Sequence, residues 1–139
     1  MSGFIKMLSD ETGFVQKPAE KESFRNDSGA AISKGDWVVI DVSVTTLGLG
    51  AHIETSPATA DNPACIGVAN EDIPDGAVGE VVVRGPVKDA NVLTGTAAGV
   101  CIQTIATAGR AGVAGAATER SLGFTMELAA DNKADVYIY

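Results

Sequence analysis

Two segments of the chain carry the same pattern of a short strand, a polar turn and a second strand. The first unit spans residues 66–83 and the second spans residues 122–138. In each unit, residues such as Asp, Asn or Gly separate two runs that are rich in β-branched or aromatic side chains. This arrangement is typical of a β-hairpin with a longer loop. A chain that contains the unit twice is predicted to be an all-β protein.

The remaining sequence favours a small β-sandwich or β-barrel-like body. The chain has 139 residues, which suits one domain with a real core. Residues 37–44 alternate in the manner of a half-buried strand, and turn signals recur about every 8–12 residues afterwards. The 16 glycines fit such a turn-rich chain, and only 5% of the residues are aromatic, so the core must consist mainly of aliphatic side chains.

The first 28 residues differ from the rest because they mix acidic and basic residues without a sustained period. They nevertheless contain Phe4, Phe14 and Phe24, three of the four phenylalanines of the chain. So polar a segment buries too little surface to fold alone. Residues 1–28 are therefore predicted to be an extended arm that inserts these three rings into pockets of a partner, or that wraps the protein's own body. Residues 29–139 are predicted to form the body.

Charge and hydropathy exclude two classes of partner. The net charge of −8 argues against direct nucleic-acid binding, which requires Lys and Arg to neutralise phosphates. No apolar run approaches the roughly 20 residues of a membrane span, and the N-terminal residues lack a secretory signal pattern.

Candidate catalytic groups are few. His52 is the single histidine, and Glu54 would lie on the same side of a strand, so a carboxylate-supported base is conceivable. No activated nucleophile accompanies it, and a surface or loop histidine is the favoured interpretation. The chain is predicted not to be an enzyme.

The sequence also predicts no metal site and no cofactor. Glu71, Asp72, Asp75 and Glu80 share one turn, but their spacing is not that of a calcium loop. Cys65 and Cys101 each lie in an apolar run and are predicted to be small buried side chains, without zinc-ligand spacing.

From residue 31 onward the sequence resembles the capsid cement, or head decoration, proteins of tailed bacteriophages. The residues that carry this resemblance are Ala31-Ile32, Gly35-Asp36, Val38, Ile66-Gly67-Val68-Ala69, Gly76, Gly79-Glu80-Val81-Val82-Val83, Gly85, Gly109-Arg110-Ala111 and Leu122-Gly123-Phe124. It covers residues 29–139, while residues 1–28 lie outside it and residues 45–62 match poorly.

The resemblance implies a β-tulip-type body that binds the outer face of an assembled capsid and stabilises the shell. The expected partners are the major capsid protein and further copies of the chain. The expected location is the exterior of the virion, after assembly in the host cytoplasm. The arm residues Phe4, Phe14 and Phe24 are the predicted capsid contacts.

Self-association is predicted at the last strand, Val136, Tyr137, Ile138 and Tyr139, because an apolar strand edge left bare is a liability. A homotrimer is expected rather than a dimer, since three-fold positions of capsid lattices suit a trimer.

Two rival functions remain open. A lipoyl or biotinyl carrier domain is suggested superficially by Gly35-Asp36-Trp37-Val38, although Lys88 lacks the flanking pattern of a modified lysine. A carbohydrate-binding β module would need exposed aromatic residues, and the body offers only Trp37, Phe124, Tyr137 and Tyr139.

Overall fold

The computed structural model describes residues 18–43, 51–115 and 121–139. All regular elements in these ranges are β-strands, which confirms the predicted all-β class. The strands are β1 (Glu20–Asn26), β2 (Trp37–Ile40), β3 (His52–Thr55), β4 (Cys65–Ala69), β5 (Val78–Asn91), β6 (Cys101–Thr104), β7 (Ala111–Val113), β8 (Gly123–Thr125) and β9 (Lys133–Ile138). The described ranges contain no helix that is long and apolar enough to cross a bilayer.

The first five strands close into a five-stranded barrel, here called the first barrel. Its ring runs β1-β3-β2-β4-β5 and returns to β1 through an antiparallel pairing with the first half of β5. The β1–β3 contact is parallel and involves only two residue pairs. The interior is filled by one cluster of buried apolar side chains: Phe24, Ile32, Val38, Ile53, Ala69, Ile73 and Val81.

A second ring of strands, here called the second barrel, begins at the other half of β5. It continues β5-β9-β8-β6-β7, with antiparallel pairing throughout. A single parallel bridge between Val92 and Ala111 brings β7 back beside the end of β5. The 14-residue strand β5 is therefore shared by both barrels.

The two barrels repeat one topology in the same register. The flanking pairs of the matching strands are Val38–Thr55 and Val38–Gly67 in the first barrel, and Ile102–Val113 and Ile102–Gly123 in the second. Each hairpin predicted from the sequence supplies two strands of one barrel, which confirms both predicted hairpins. The internal repeat thus extends beyond the hairpins to the whole four-strand set from β2 to β5 and from β6 to β9.

Matching positions face the interiors of both barrels. The second-barrel counterparts of the seven core residues of the first barrel are also buried: Ala90, Thr96, Ile102, Ala111, Thr125, Ala129 and Val136. Most of these side chains are smaller than their counterparts. The second barrel is therefore filled by Ala and Thr where the first uses Phe and Ile.

Part of the predicted arm is a strand of the body. Residues 20–26 form β1, which closes the first barrel, and Phe24 is only 9% exposed within the core. Phe24 therefore has no free side chain to insert into a partner, and the interpretation in which this segment covers the protein's own body is the one that fits. Phe4 and Phe14 lie outside the described residues.

The last strand is not an edge. β9 pairs with β5 on one side and with β8 on the other, so the bare edge on which the predicted oligomer interface rested does not exist. Val136 and Ile138 are buried, at 0% and 4% exposure. Tyr137 is half-buried and Tyr139 is exposed, so only these two of the four predicted interface residues reach the surface.

Candidate interaction surface

His52 is buried and lies where β1 and β3 pair to close the first barrel. Its Nδ1 lies 2.9 Å from Oδ2 of Asp27, in a contact that lacks hydrogen-bond alignment. Asp27 in turn accepts bonds from Nε of Arg25 at 3.0 Å and 2.9 Å. These groups connect β1 to β3, whose backbone pairing involves only two residue pairs. The prediction of a surface histidine is wrong, because His52 is 4% exposed.

Glu54 does not support this histidine. Burial, with a smaller contribution from the carboxylate of Asp41, raises the pKa of Glu54. The group that contacts His52 is Asp27. His52 and Glu54 therefore do not form the arrangement expected of a catalytic base and its supporting carboxylate. His52 contributes instead to the contact between β1 and β3.

A second polar network lies at the junction of the two barrels. Arg110 donates from Nε to Oδ1 of Asn91 at 2.8 Å, and Asn91 donates from Nδ2 to Oδ1 of Asp36 at 3.2 Å. The indole of Trp37 donates to the Asn91 carbonyl at 3.1 Å. Burial raises the pKa of Asp36, and the hydrogen bond from Asn91 opposes that rise. The network connects the start of β2, the end of β5 and the loop before β7, so its role is structural.

In the acidic turn considered as a calcium site, two carboxylates accept hydrogen bonds from backbone amides. Oδ1 of Asp72 accepts a hydrogen bond from the Lys34 amide at 2.8 Å, and Oδ1 of Asp75 accepts one from the Gly29 amide at 2.9 Å. Both carboxylates thus hold the turn against the segment that enters β2.

A different acidic group, Asp89, Glu127 and Asp135, has ligand oxygens within 4.8 Å of one another. Here too the carboxylates bind backbone: Asp135 accepts from the Asp89 amide at 3.0 Å, and Glu127 accepts from the Asp135 amide at 3.0 Å. Asp89 has a positive φ of 57° in the bulge of β5, which explains why a side chain stabilises its amide. Asp135 and Glu127 thus fix the bulge through these backbone hydrogen bonds.

Thermal unfolding is expected to be insensitive to metal removal. Because backbone amides already bind the carboxylates of Asp135 and Glu127, melting curves recorded with and without a chelator should coincide. A large fall in the melting temperature on adding EDTA, reversed by calcium but not by magnesium, would contradict this expectation.

The two cysteines lie in different environments. Cys65 is buried, as predicted, but Cys101 is exposed, and its Sγ lies 4.0 Å from the Tyr139 hydroxyl. The prediction of a buried Cys101 is wrong because its strand turns this side chain toward the outside of the second barrel.

An aromatic strip runs across that outer wall of the second barrel. It consists of Cys101, Phe124 and Tyr137, which are opposite one another on β6, β8 and β9, together with Tyr139. The Phe124 and Tyr137 rings are stacked, with centroids 5.5 Å apart and planes 15° apart, and Tyr139 lies 6.1 Å from Phe124 at 47°. Clustered aromatic side chains of this kind are typical of the anchors of protein–protein interfaces.

A groove opens at one end of the first barrel and is here called the barrel mouth. It has a volume of about 460 Å³ and apolar walls formed by Phe24, Ile40, Ile66 and Val83. Glu20, Glu22 and Arg84 border it, with Glu20 and Arg84 at a separation of 4.0 Å. The groove thus combines four apolar side chains with three charged ones, and this combination suits a docking site.

Sequence reasoning named Tyr137 and Tyr139 of the aromatic strip, as part of a predicted oligomer interface, but missed Phe124 and the whole barrel mouth. Hairpin alternation places Phe124 and Tyr137 on the face opposite to Val136, so the aromatic strip had a signal in the second unit. No sequence pattern indicates the barrel mouth, because its residues come from four strands, β1, β2, β4 and β5.

No protein-family model matches the chain, and no curated protein sequence matches it.

Proposed function

We propose that the chain is a structural virion protein that binds the outer surface of an assembled phage capsid and stabilises the shell. The single observation that carries the proposal is the aromatic strip on the outer wall of the second barrel, with Tyr139 at 57% exposure. A ligand that binds only the assembled shell stabilises that shell by mass action. Many identical copies on a lattice add their individually weak contacts.

The polar groups of the described residues support this non-catalytic role. His52, Asp36, Asp72 and Asp135 each contact neighbouring side chains or backbone that hold the barrels together. The sequence resemblance supplies the capsid as partner. In this proposal the partners are the major capsid protein and further copies of the chain, and residues 1–17, with Phe4 and Phe14, remain the expected capsid contacts.

The test is binding to shells assembled from the major capsid protein that the same genome encodes. We expect saturable co-sedimentation and a higher melting temperature of the decorated shells. Deleting residues 1–17 should weaken binding by about an order of magnitude, equal to about 1.4 kcal/mol, while leaving β1 in place. A full-length protein that stays in the supernatant at every shell concentration would contradict the proposal.

The carbohydrate-binding alternative has little support from the geometry. Trp37 is fully buried, and the Phe124 and Tyr137 rings turn their faces toward each other. Among the four candidate aromatics, Tyr139 alone is largely exposed. Binding to a glycan panel that is lost on Tyr139→Ala would favour this alternative.

The carrier-domain alternative requires a modified lysine at a hairpin tip. Lys88 lies instead inside β5, beside the bulge at Val87–Ala90. An added lipoyl or biotinyl mass on the intact protein would favour a carrier.

A further inference from the structure

Comparison of the two repeat units shows that the outer wall of one barrel is covered by the other barrel. In the first barrel, the outer-wall row equivalent to the aromatic strip is Trp37–Val68–Val82, in the same cross-strand register as Cys101–Phe124–Tyr137. The three residues of the first-barrel row are at most 2% exposed. The matching row of the second barrel contains the exposed Cys101 and two half-buried rings.

The surface that covers the first wall is the mouth of the second barrel. Leu122 and Ile138 belong to the same buried cluster as Trp37, and they line with it a cavity of about 170 Å³ between the barrels. Leu122 and Ile138 are only 7% and 4% exposed. Within one chain, the mouth of the second barrel therefore packs on the outer wall of the first barrel.

The first barrel has the same mouth without that cover. The register equivalents of Leu122 and Ile138 are Ile66 and Val83, which are half-buried and line the 460 Å³ groove. The chain therefore carries one mouth–wall contact that is made internally, together with one further mouth and one further wall.

We propose that the aromatic strip of one copy binds the barrel mouth of a second copy, and so repeats between chains the contact that the two barrels make within one chain. The occupant of each surface is thus another molecule of this protein. Such a contact joins two different surfaces, so it is heterologous. Repetition of it closes a ring if the rotation permits and otherwise propagates a filament.

This self-association specifies the surfaces through which further copies of the chain, which are part of the proposed function, would bind, and it uses the same aromatic strip. It is measured without any shell, so its failure is distinguishable from a failure of capsid binding. Analytical ultracentrifugation of the full chain is expected to show concentration-dependent oligomers at about 50 µM, as mass action requires. Phe124→Asp places a charge in the aromatic strip, and Ile40→Asp places a charge in the barrel mouth. Each variant therefore disrupts one of the two surfaces. Each variant alone should be weakened in association by about tenfold or more.

Mixing the two variants gives the decisive result. The intact mouth of Phe124→Asp can dock on the intact wall of Ile40→Asp, so an equimolar mixture should form a one-to-one dimer and no larger species. Val78→Asp, at a position that is 61% exposed and lies on neither surface, is the matched control and should associate like the unmodified protein. Circular dichroism establishes that each variant is folded, and Phe124→Ser with Ile40→Ser replaces the pair if it is not.

Three outcomes would overturn the proposal. The first is an unmodified protein that is monomeric at this concentration. The second is a mixture that shows no complementation, because a symmetric contact between like surfaces cannot be rescued in this way. The third is association that is lost on deleting residues 1–17 but retained in both variants, which would make that segment the occupant.

Discussion

Gly123→Ala is expected to lower the free energy of unfolding by about 3 kcal/mol or more, as severe overpacking does. A Cβ at Gly123 would lie 1.9 Å from the carbonyl oxygen of Tyr137 and 2.9 Å from its carbon. These are backbone atoms of the neighbouring strand, so relief requires that β8 and β9 separate. Urea unfolding monitored by circular dichroism measures the loss.

Gly67→Ala should have a similar effect, because the repeat places it at the equivalent position. Its Cβ would lie 2.0 Å from the carbonyl oxygen of Val82. The control is Gly76→Ala, at a turn glycine with φ of 80° and no atom within 4 Å of the added methyl group, which should cost only about 1 kcal/mol. If all three variants lost the same stability, the close approach of the strands would not be the cause.

Deleting residues 1–28 is expected to abolish the cooperative fold of the first barrel, whereas deleting residues 1–17 should leave it folded. The longer deletion removes β1, which pairs with both β3 and β5. It also removes Phe24 from the core and Asn26, whose Nδ2 donates to the Ile73 carbonyl at 2.9 Å. Loss of a buried Phe side chain alone costs about 3–5 kcal/mol.

The comparison is made by thermal unfolding of the two truncated proteins, with Phe24→Ala in the full chain as an intermediate case. We expect the order of stability to be the shorter deletion, then Phe24→Ala, then the longer deletion. A longer deletion that melts in one sharp transition near the temperature of the full chain would contradict the assignment of β1 to the barrel.

The sequence was sufficient to predict the two hairpins, because their information is local. A turn rich in Asp, Asn and Gly separates strands whose residues alternate, and the pairing partners lie only about a dozen residues apart. The Val68–Val82 and Phe124–Tyr137 pairs follow directly from that pattern.

The closure of the first barrel could not be predicted in this way. β1 has five exposed residues among its seven, so its sequence resembles a solvated segment. It is held by strands that are distant in sequence, for example by the Phe24–Gly79 pair. One phenylalanine and one buried asparagine face inward, which is too little to reveal a strand by alternation.

The surfaces were misjudged because their burial depends on tertiary neighbours. The apolar pattern of β9 suggested a bare edge, but the far half of β5 occupies that side. On that side β5 continues without interruption through Gly85-Pro86, with Gly85 at a φ of 98°. This continuation is what places Tyr137 on a wall rather than on an edge.

The long strand β5 divides its pairing between the two barrels at one point. Residues 78–84 pair with β1 and β4, whereas residues 85–91 pair with β9. No residue of β5 therefore pairs in both barrels, and a chain cut between Arg84 and Gly85 would leave each half with all the strands of its own ring. The covalent continuity of β5 thus determines how the two barrels are joined, rather than whether either ring of strands can form.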